Sequence, residues 1–273
     1  MAVAEPKSGR SRGQNDGIPA LSARPGGPAE RFAGRVGRQH PVTVFFVALL
    51  SGFALLAAFA ILLGLFVTDV LVPIHAIGSA DEGFIESLAR DRTSTLTDAS
   101  AVGTAVGGAP VLPILVGVIA LVFAVMRRWL IAGFAAFVLM VESATYRVSS
   151  LVVPRERPSV HRLEDLPADA SYPSGHTAAS VAVYLGLTLL LTSKIADRRL
   201  KIGAWVVAVL LPVIVASSRM YRGMHHPLDV ASGLLIGLGA ITVLLFACRA
   251  AACAHRAPAK ARTPARASQA RTA

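Results

Sequence analysis

Twelve residues, Ser218 to Asp229, hold the groups best suited to chemistry: Ser-Arg-Met-Tyr-Arg-Gly-Met-His-His-Pro-Leu-Asp. They lie between two apolar runs long enough to cross a bilayer. Ionisable groups at a membrane edge are costly and point to function. Arg219 offers a planar fork matched to phosphate oxygens. His225 and Asp229 are four apart at the expected start of a helix, so they can share a face. A carboxylate bonded to one imidazole nitrogen fixes the tautomer and leaves the other nitrogen free to attack.

Two other fragments fall at the same membrane level. One is Arg155-Glu156-Arg157-Pro158, where Arg157 is a second phosphate fork. The other is Tyr172-Pro173-Ser174-Gly175-His176 at the start of an apolar run. There Ser174 and Gly175 would place free N–H groups at a helix N-terminus, where the dipole draws anions, and Gly175 would let a ligand approach the backbone. His176 could give a proton to a departing oxygen. The two imidazoles would need opposite protonation states, set by different neighbours. Singly, each fragment has a structural reading: Ser174 as a helix cap, an arginine as a membrane-edge anchor, His225 with Asp229 as a capping pair. Together, in one plane, they describe an anion-binding cup.

The elements that must position these groups are helices. The expected spans are 42–66, 106–126, 129–146, 174–192, 202–217 and 228–248. The last three apolar cores, of about 17 to 20 residues at about 1.5 Å each, cover a hydrocarbon layer of about 30 Å. This predicts an all-α fold, a bundle of six transmembrane helices. Residues 73–100 mix five acids with Phe84, Ile85, Leu88 and Leu96 at loose helical spacing, which predicts an amphipathic surface segment. Residues 147–172 read as a polar loop. Glu142, inside the third span, is expected to pair with an arginine at the water-facing end. Residues 1–40 and 249–273 are rich in Gly, Pro, Ala and Arg and read as disordered basic tails flanking a membrane domain at 41–248. The first tail is too long and polar for a signal-peptide n-region, so the first span is expected to be retained.

The charge is uneven. Of 273 residues, 54% are hydrophobic and only 16% charged, yet the net charge is +11, carried mainly by tails and short loops. A nucleic-acid binder would gather such charge on a folded soluble face, so nucleic acid is not an expected partner. Both tails, the Arg127-Arg128 turn and the Lys194–Lys201 loop share one side, which the positive-inside tendency makes cytoplasmic. All three chemical fragments then face the extracytoplasmic side of a multi-pass protein of the cell membrane. Cys248 and Cys253 beside His255 are too few ligands for a structural zinc.

The three fragments resemble the tripartite signature of the type 2 phosphatidic acid phosphatase superfamily: Lys, six residues, Arg-Pro; Pro-Ser-Gly-His; Ser-Arg, five residues, His, three residues, Asp. The second and third parts match in full, at 173–176 and 218–229. The resemblance implies a six-helix membrane phosphatase without metal or cofactor. Its substrate would be a lipid phosphate monoester or a polyprenyl pyrophosphate. By resemblance, His225 forms a phosphohistidine, Asp229 orients it and His176 protonates the leaving group. Arg157, Ser174, Gly175 and Arg219 bind phosphoryl oxygens. The signature's Lys falls at position 150, where this chain has Ser150; Arg147 or Arg155 is the expected substitute. Two other outcomes share the site: a phosphotransferase using the same intermediate, and a protein that binds lipid phosphate without catalysis. Vanadate-dependent haloperoxidases share the pocket too, but they are soluble and six spans count against them.

Overall fold

A chain crossing hydrocarbon must satisfy its own backbone N–H and C=O groups, so the apolar runs can only be helical. The computed structural model describes residues 18–36, 40–165 and 170–261, without the side chains of 255–261. Among the described residues, six helical spans are long and apolar enough to cross a membrane: Pro41–Leu71, Ser94–Val125, Trp129–Val152, Gly175–Lys194, Arg198–Tyr221 and Pro227–Ala254. The same residues contain no strand, only an isolated bridge between Arg155 and Ala170. The expected all-α, six-span bundle is therefore what forms.

The helices begin and end on recognisable local signals. A short helix α1 (Pro28–Val36) precedes α2 (Pro41–Phe66), which starts with Pro41 in its first turn and the His40 ring accepting from Val42 N–H at 3.3 Å. A π-type turn at Val67–Leu71 ends that span, and α3 (His75–Arg90) follows. Thr93 Oγ1 accepts from Leu96 N–H at 3.3 Å and caps α4 (Ser94–Val106). The pair Gly107–Gly108 breaks the second span before α5 (Val111–Val125). Arg127, at φ 55°, turns the chain into α6 (Trp129–Val152). The fourth span is α7 (Gly175–Ser180), a π-type turn at Val181–Leu185 and α8 (Gly186–Leu191). Asp197 accepts from Arg199 and Leu200 N–H at 2.7 and 3.2 Å to cap α9 (Arg198–Tyr221), and Pro227 opens α10 (Pro227–Ala261).

Small residues let the helices close on one another. An added Cβ at Gly52 would lie 2.7 Å from Val243, and one at Gly239 would lie 2.3 Å from Leu56, so α2 and α10 meet through glycines. The α7–α8 span is the most enclosed of the six. Outward-facing Leu55, Leu62, Leu121, Leu151 and Leu200 are well exposed, as lipid-facing side chains are.

Four expectations change. The acidic segment at 73–100 is a surface helix only as far as Arg90; α4 belongs to the bundle, with Gly103 against Ser218 and Gly107 against Val215 of α9. The loop expected from Arg147 begins instead after Val152, because α6 carries Ser149 and Ser150 as helix, each hydroxyl bonded back to a carbonyl of its own helix. Glu142 meets no arginine among the described residues. It is 1% exposed, its Oε2 accepts from Ser143 Oγ at 3.2 Å, and its Oε1 has no partner among the described residues. The expected tails are partly structured. Ile18, Leu21, Ala29 and Ala33 are buried, Phe32 meets Phe246 edge-on at 5.3 Å, and Arg249 Nε donates to Ala20 O at 2.9 Å. In the second tail α10 runs on to Ala261. The remainder of both tails, 1–17, 37–39 and 262–273, lies outside the described residues.

Candidate active site

The end of α9 and the start of α10 are joined by a tight reversal. Met224 N–H donates to Arg219 O at 3.0 Å and Gly223 N–H to Met220 O at 2.9 Å. Gly223 has φ +71°, a conformation that excludes most side chains, and a Cβ there would lie 2.7 Å from Val160. This turn buries Arg219 (1% exposed), His225 (3%) and Asp229 (0%) together. Arg157 reaches in from the 153–174 loop and donates to Met224 O at 2.5 Å. Arg219 and Arg157 lie near enough for their charges to act on both His225 and His176.

His225 is held by its Nδ1, 2.7 Å from the carbonyl of Ser171. A carbonyl only accepts, so Nδ1 carries the proton and Nε2 is left with its lone pair. Burial, then the charge of Arg219, drives the His225 pKa well below the ordinary histidine value, against the pull of Asp229. The ring is therefore neutral at ordinary pH.

The expected His225–Asp229 bond does not form: Asp229 Oδ2 stands 4.0 Å from His225 Nδ1. The helical spacing fails because α10 begins at Pro227, beyond His225. Asp229 acts one residue removed. Its Oδ2 accepts from Ser171 Oγ at 2.6 Å and from His226 N–H at 2.9 Å, and its Oδ1 pairs with Arg155. It thus holds the Ser171 segment whose carbonyl orients His225. Its own carbonyl accepts Ser174 N–H at 3.1 Å.

That last bond revises the reading of the Pro-Ser-Gly-His fragment. Ser174 N–H is taken within the protein, and its Oγ lies 2.9 Å from Thr177 Oγ1. A Cβ on Gly175 would lie 3.1 Å from the Tyr146 ring, so this glycine serves the packing of α7 on α6. His176 lies against Gly108 at the α4–α5 break, where a Cβ would come within 2.9 Å of its Nε2.

Arg155 does come to the site, but as a bridge between the carboxylates of Asp81 and Asp229. It is therefore not placed as a replacement for the signature's lysine. Arg147 is exposed on α6, and no hydrogen bond or ion pair joins it to the cluster among the described residues.

Several residues carry no sequence signal of their own. Glu164 binds Arg219 Nη1 at 2.7 Å and Arg222 Nε at 2.6 Å. Burial alone would raise its pKa, but these two arginines hold it below the usual carboxylate range. Thr104 Oγ1 accepts from Arg219 Nη1 at 2.8 Å and Ser100 Oγ from Arg222 Nη1 at 3.2 Å. His226 sits between Glu82 (2.8 Å) and Asp229 (3.3 Å). Burial opposes its charge, but the two carboxylates outweigh that and raise its pKa. The hydroxyl spacing on α4 and the acid pair Asp81-Glu82 are the only hints the sequence offers of these partners.

Comparison with known proteins fits this geometry. Residues 130–251 match the model of the PAP2 superfamily, a segment containing the whole site except its α3 and α4 supports. The chain is therefore similar to the PAP2 superfamily over 122 of its 273 residues. A crystal structure of a transmembrane PAP2-type phosphatidylglycerolphosphate phosphatase from Bacillus subtilis aligns over 75% of this chain and 93% of that one, with TM-score 0.58 and 24% identity, so the two share the fold. An undecaprenyl-diphosphatase of Sulfolobus acidocaldarius is 39% identical over 95 residues, 33% of this chain and 42% of its own length. A decaprenylphosphoryl-5-phosphoribose phosphatase of Mycobacterium tuberculosis is 33% identical over 120 residues, 42% of this chain and 59% of its own. The chain thus spans about half the length of these last two relatives.

Proposed function

We propose that this chain is an integral membrane phosphatase that hydrolyses a lipid phosphate monoester or a polyprenyl diphosphate through a phosphohistidine. The observation that carries the reading is the neutral, buried His225. The Ser171 carbonyl holds its Nδ1–H, which leaves the Nε2 lone pair for attack, and the charges of Arg219 and Arg157 act on the ring.

In the first step His225 Nε2 attacks phosphorus and the bond to the leaving oxygen breaks. His176 gives that oxygen a proton, and Arg157 and Arg219 hold the charge on the equatorial oxygens. Burial and the charge of Arg219 both press the pKa of Arg157 downward, a strain that a bound anion between the two would relieve. In the second step water attacks the phosphohistidine, loses its proton to His176 and frees inorganic phosphate and His225. Asp229 and Ser171 position the nucleophile, and Ser174 and Gly175 shape the wall beside it. No step draws on a metal or cofactor.

A cleft of about 490 Å³ between α3 and the 153–159 loop reaches the site at Arg157; Arg155 and His226 also line it, whereas His176, Arg219 and His225 do not. The lipid tail would stay in hydrocarbon between spans. The basic residues of the Arg127-Arg128 turn and the Lys194–Lys201 loop lie at the other end of the bundle. We therefore place that end and both tails in the cytoplasm and the site outside.

A binding-only protein is the second reading, favoured by Ser150 and by the commitment of Arg155 to two carboxylates. Purified protein is tested for phosphate release from phosphatidic acid, phosphatidylglycerol phosphate, polyprenyl diphosphate and a polyprenyl-linked sugar phosphate, with His225→Ala as control. Release lost in the variant supports hydrolysis. Binding without release supports the second reading, and transfer to added alcohol identifies a phosphotransferase.

A further inference from the structure

The 153–174 loop brings one carboxylate, Glu164, into a cluster otherwise made of guanidinium groups. Its two oxygens are divided between two arginines: Oε2 accepts from Arg219 Nη1 at 2.7 Å, and Oε1 from Arg222 Nε at 2.6 Å. Arg219 Nη1 also donates to Thr104 Oγ1 at 2.8 Å. A guanidinium carries five N–H donors, two of them on Nη1. Both of those are therefore engaged. Arg219 Nε, in a residue 1% exposed, has no hydrogen-bond partner among the described residues. The guanidinium thus has one edge fixed by the protein and one edge able to take an oxyanion side-on.

We propose that Glu164, anchored by Arg222, is a positioning residue that fixes the Nη1 end of Arg219 and so presents its Nε edge to the transferring phosphoryl group. This rests on the phosphatase reading above and adds two residues that lie outside the three signature fragments or between their fixed positions.

Arg222 is suited to anchoring and not to binding substrate. Its Nε goes to Glu164, its Nη1 to Ser100 Oγ at 3.2 Å and its Nη2 to Leu163 O at 3.0 Å. Leu163 N–H returns a bond to Arg222 O at 3.1 Å. Residues 163 and 164 are thereby tied to residue 222 by backbone as well as side chain. A carboxylate can also sit in a phosphate site as a competitor that substrate must displace. Such a plug would take the open Nε edge, whereas Glu164 takes the edge that Thr104 shares. Glu164 also supplies the counter-charge that lets Arg157, Arg219 and Arg222 stand close in a buried cup before any anion arrives. Without it the three like charges would push Arg219 out of register with His225.

The test uses the full-length protein in detergent, a short-chain lipid phosphate as substrate, and inorganic vanadate as a mimic of the five-coordinate phosphorus. Glu164→Gln is expected to lower kcat by about 10- to 100-fold and to change KM by less than about threefold, as misplacement of one group does. Vanadate inhibition weakens by a similar factor. Arg222→Lys, which keeps the charge but not the fork, moves both in the same direction by less. In an Arg219→Lys background, Glu164→Gln adds less than about twofold, because the effect runs through Arg219. Glu164→Gln that raises turnover or tightens vanadate overturns the proposal in favour of a plug. Equal losses in both backgrounds, with a lowered unfolding temperature, overturn it in favour of a structural role. Vanadate binding, read as a shift of the unfolding temperature, scores the clamp even if no phosphate is released. Failure of the clamp and failure of the proposed reaction are therefore separate results.

Discussion

His225 and His226 are neighbours in sequence and opposites in chemistry. The first faces a backbone carbonyl and two arginines and is held neutral. The second faces Glu82 and Asp229, which raise its pKa and favour its charged form. Around the first lies a basic cup of Arg157, Arg219 and Arg222 with Glu164. Around the second lies an acidic belt of Asp81, Glu82 and Asp229 with Arg155. One turn separates the two regions. The difference teaches how sorting charge to either side of the turn would select His225 as the proposed nucleophile, because an imidazole can attack phosphorus only through a nitrogen without a proton.

The largest test breaks the pair directly. His225→Ala is expected to lower phosphate release by about ten-thousand-fold, while His226→Gln lowers it by less than about tenfold. Comparable losses would erase the distinction between cup and belt.

Asp229→Asn comes next, because Asp229 joins the two regions. It leaves Arg155 with Asp81 in place of two carboxylates and loosens Ser171, at an expected cost of about 3 kcal/mol or less in stability. Thermal unfolding in detergent measures it.

How far these residues were legible follows from how they act. The fragments at 155–158, 172–176 and 218–229 could be read because each packs several reactive groups into a few consecutive residues. The six spans were legible because lipid demands long uncharged runs. Glu164, Ser171, Ser100 and Thr104 were not, since each acts by meeting a residue more than fifty positions away. The His225–Asp229 bond was misread because a helical face exists only inside a helix, and α10 starts between the two. The first tail misled because Gly, Pro and Arg masked a short helix whose Ala29 and Ala33 need only small contacts to be buried on α10.

Acidity gives a subtler probe of the same contrast. Attack needs neutral His225, so activity falls as pH drops through its folded pKa, which lies below the ordinary value near 6.5. The acid limb of kcat/KM is therefore expected well below 6.5. Arg219→Gln removes a charge that lowers this pKa and should move the limb upward, on top of its lower rate.

The smallest effect concerns the belt. His226 has a folded pKa above its unfolded one, so its stabilising contribution is full below about 6.5 and is lost as pH rises through the raised folded value. In Glu82→Gln that loss should begin at lower pH, with a stability change of about 1 kcal/mol or less for a partly exposed pair. Unfolding temperature against pH reads both effects.

The central claim is that His225 itself carries the phosphoryl group. Rapid quenching of the enzyme with an aryl phosphate labelled on phosphorus, whose leaving group departs without acid help, lets that intermediate build up in a His176→Ala variant. The account predicts label on the protein that is stable to base, labile to acid and mapped by peptide to His225. Turnover with no such label, or label mapped to His226, would contradict it.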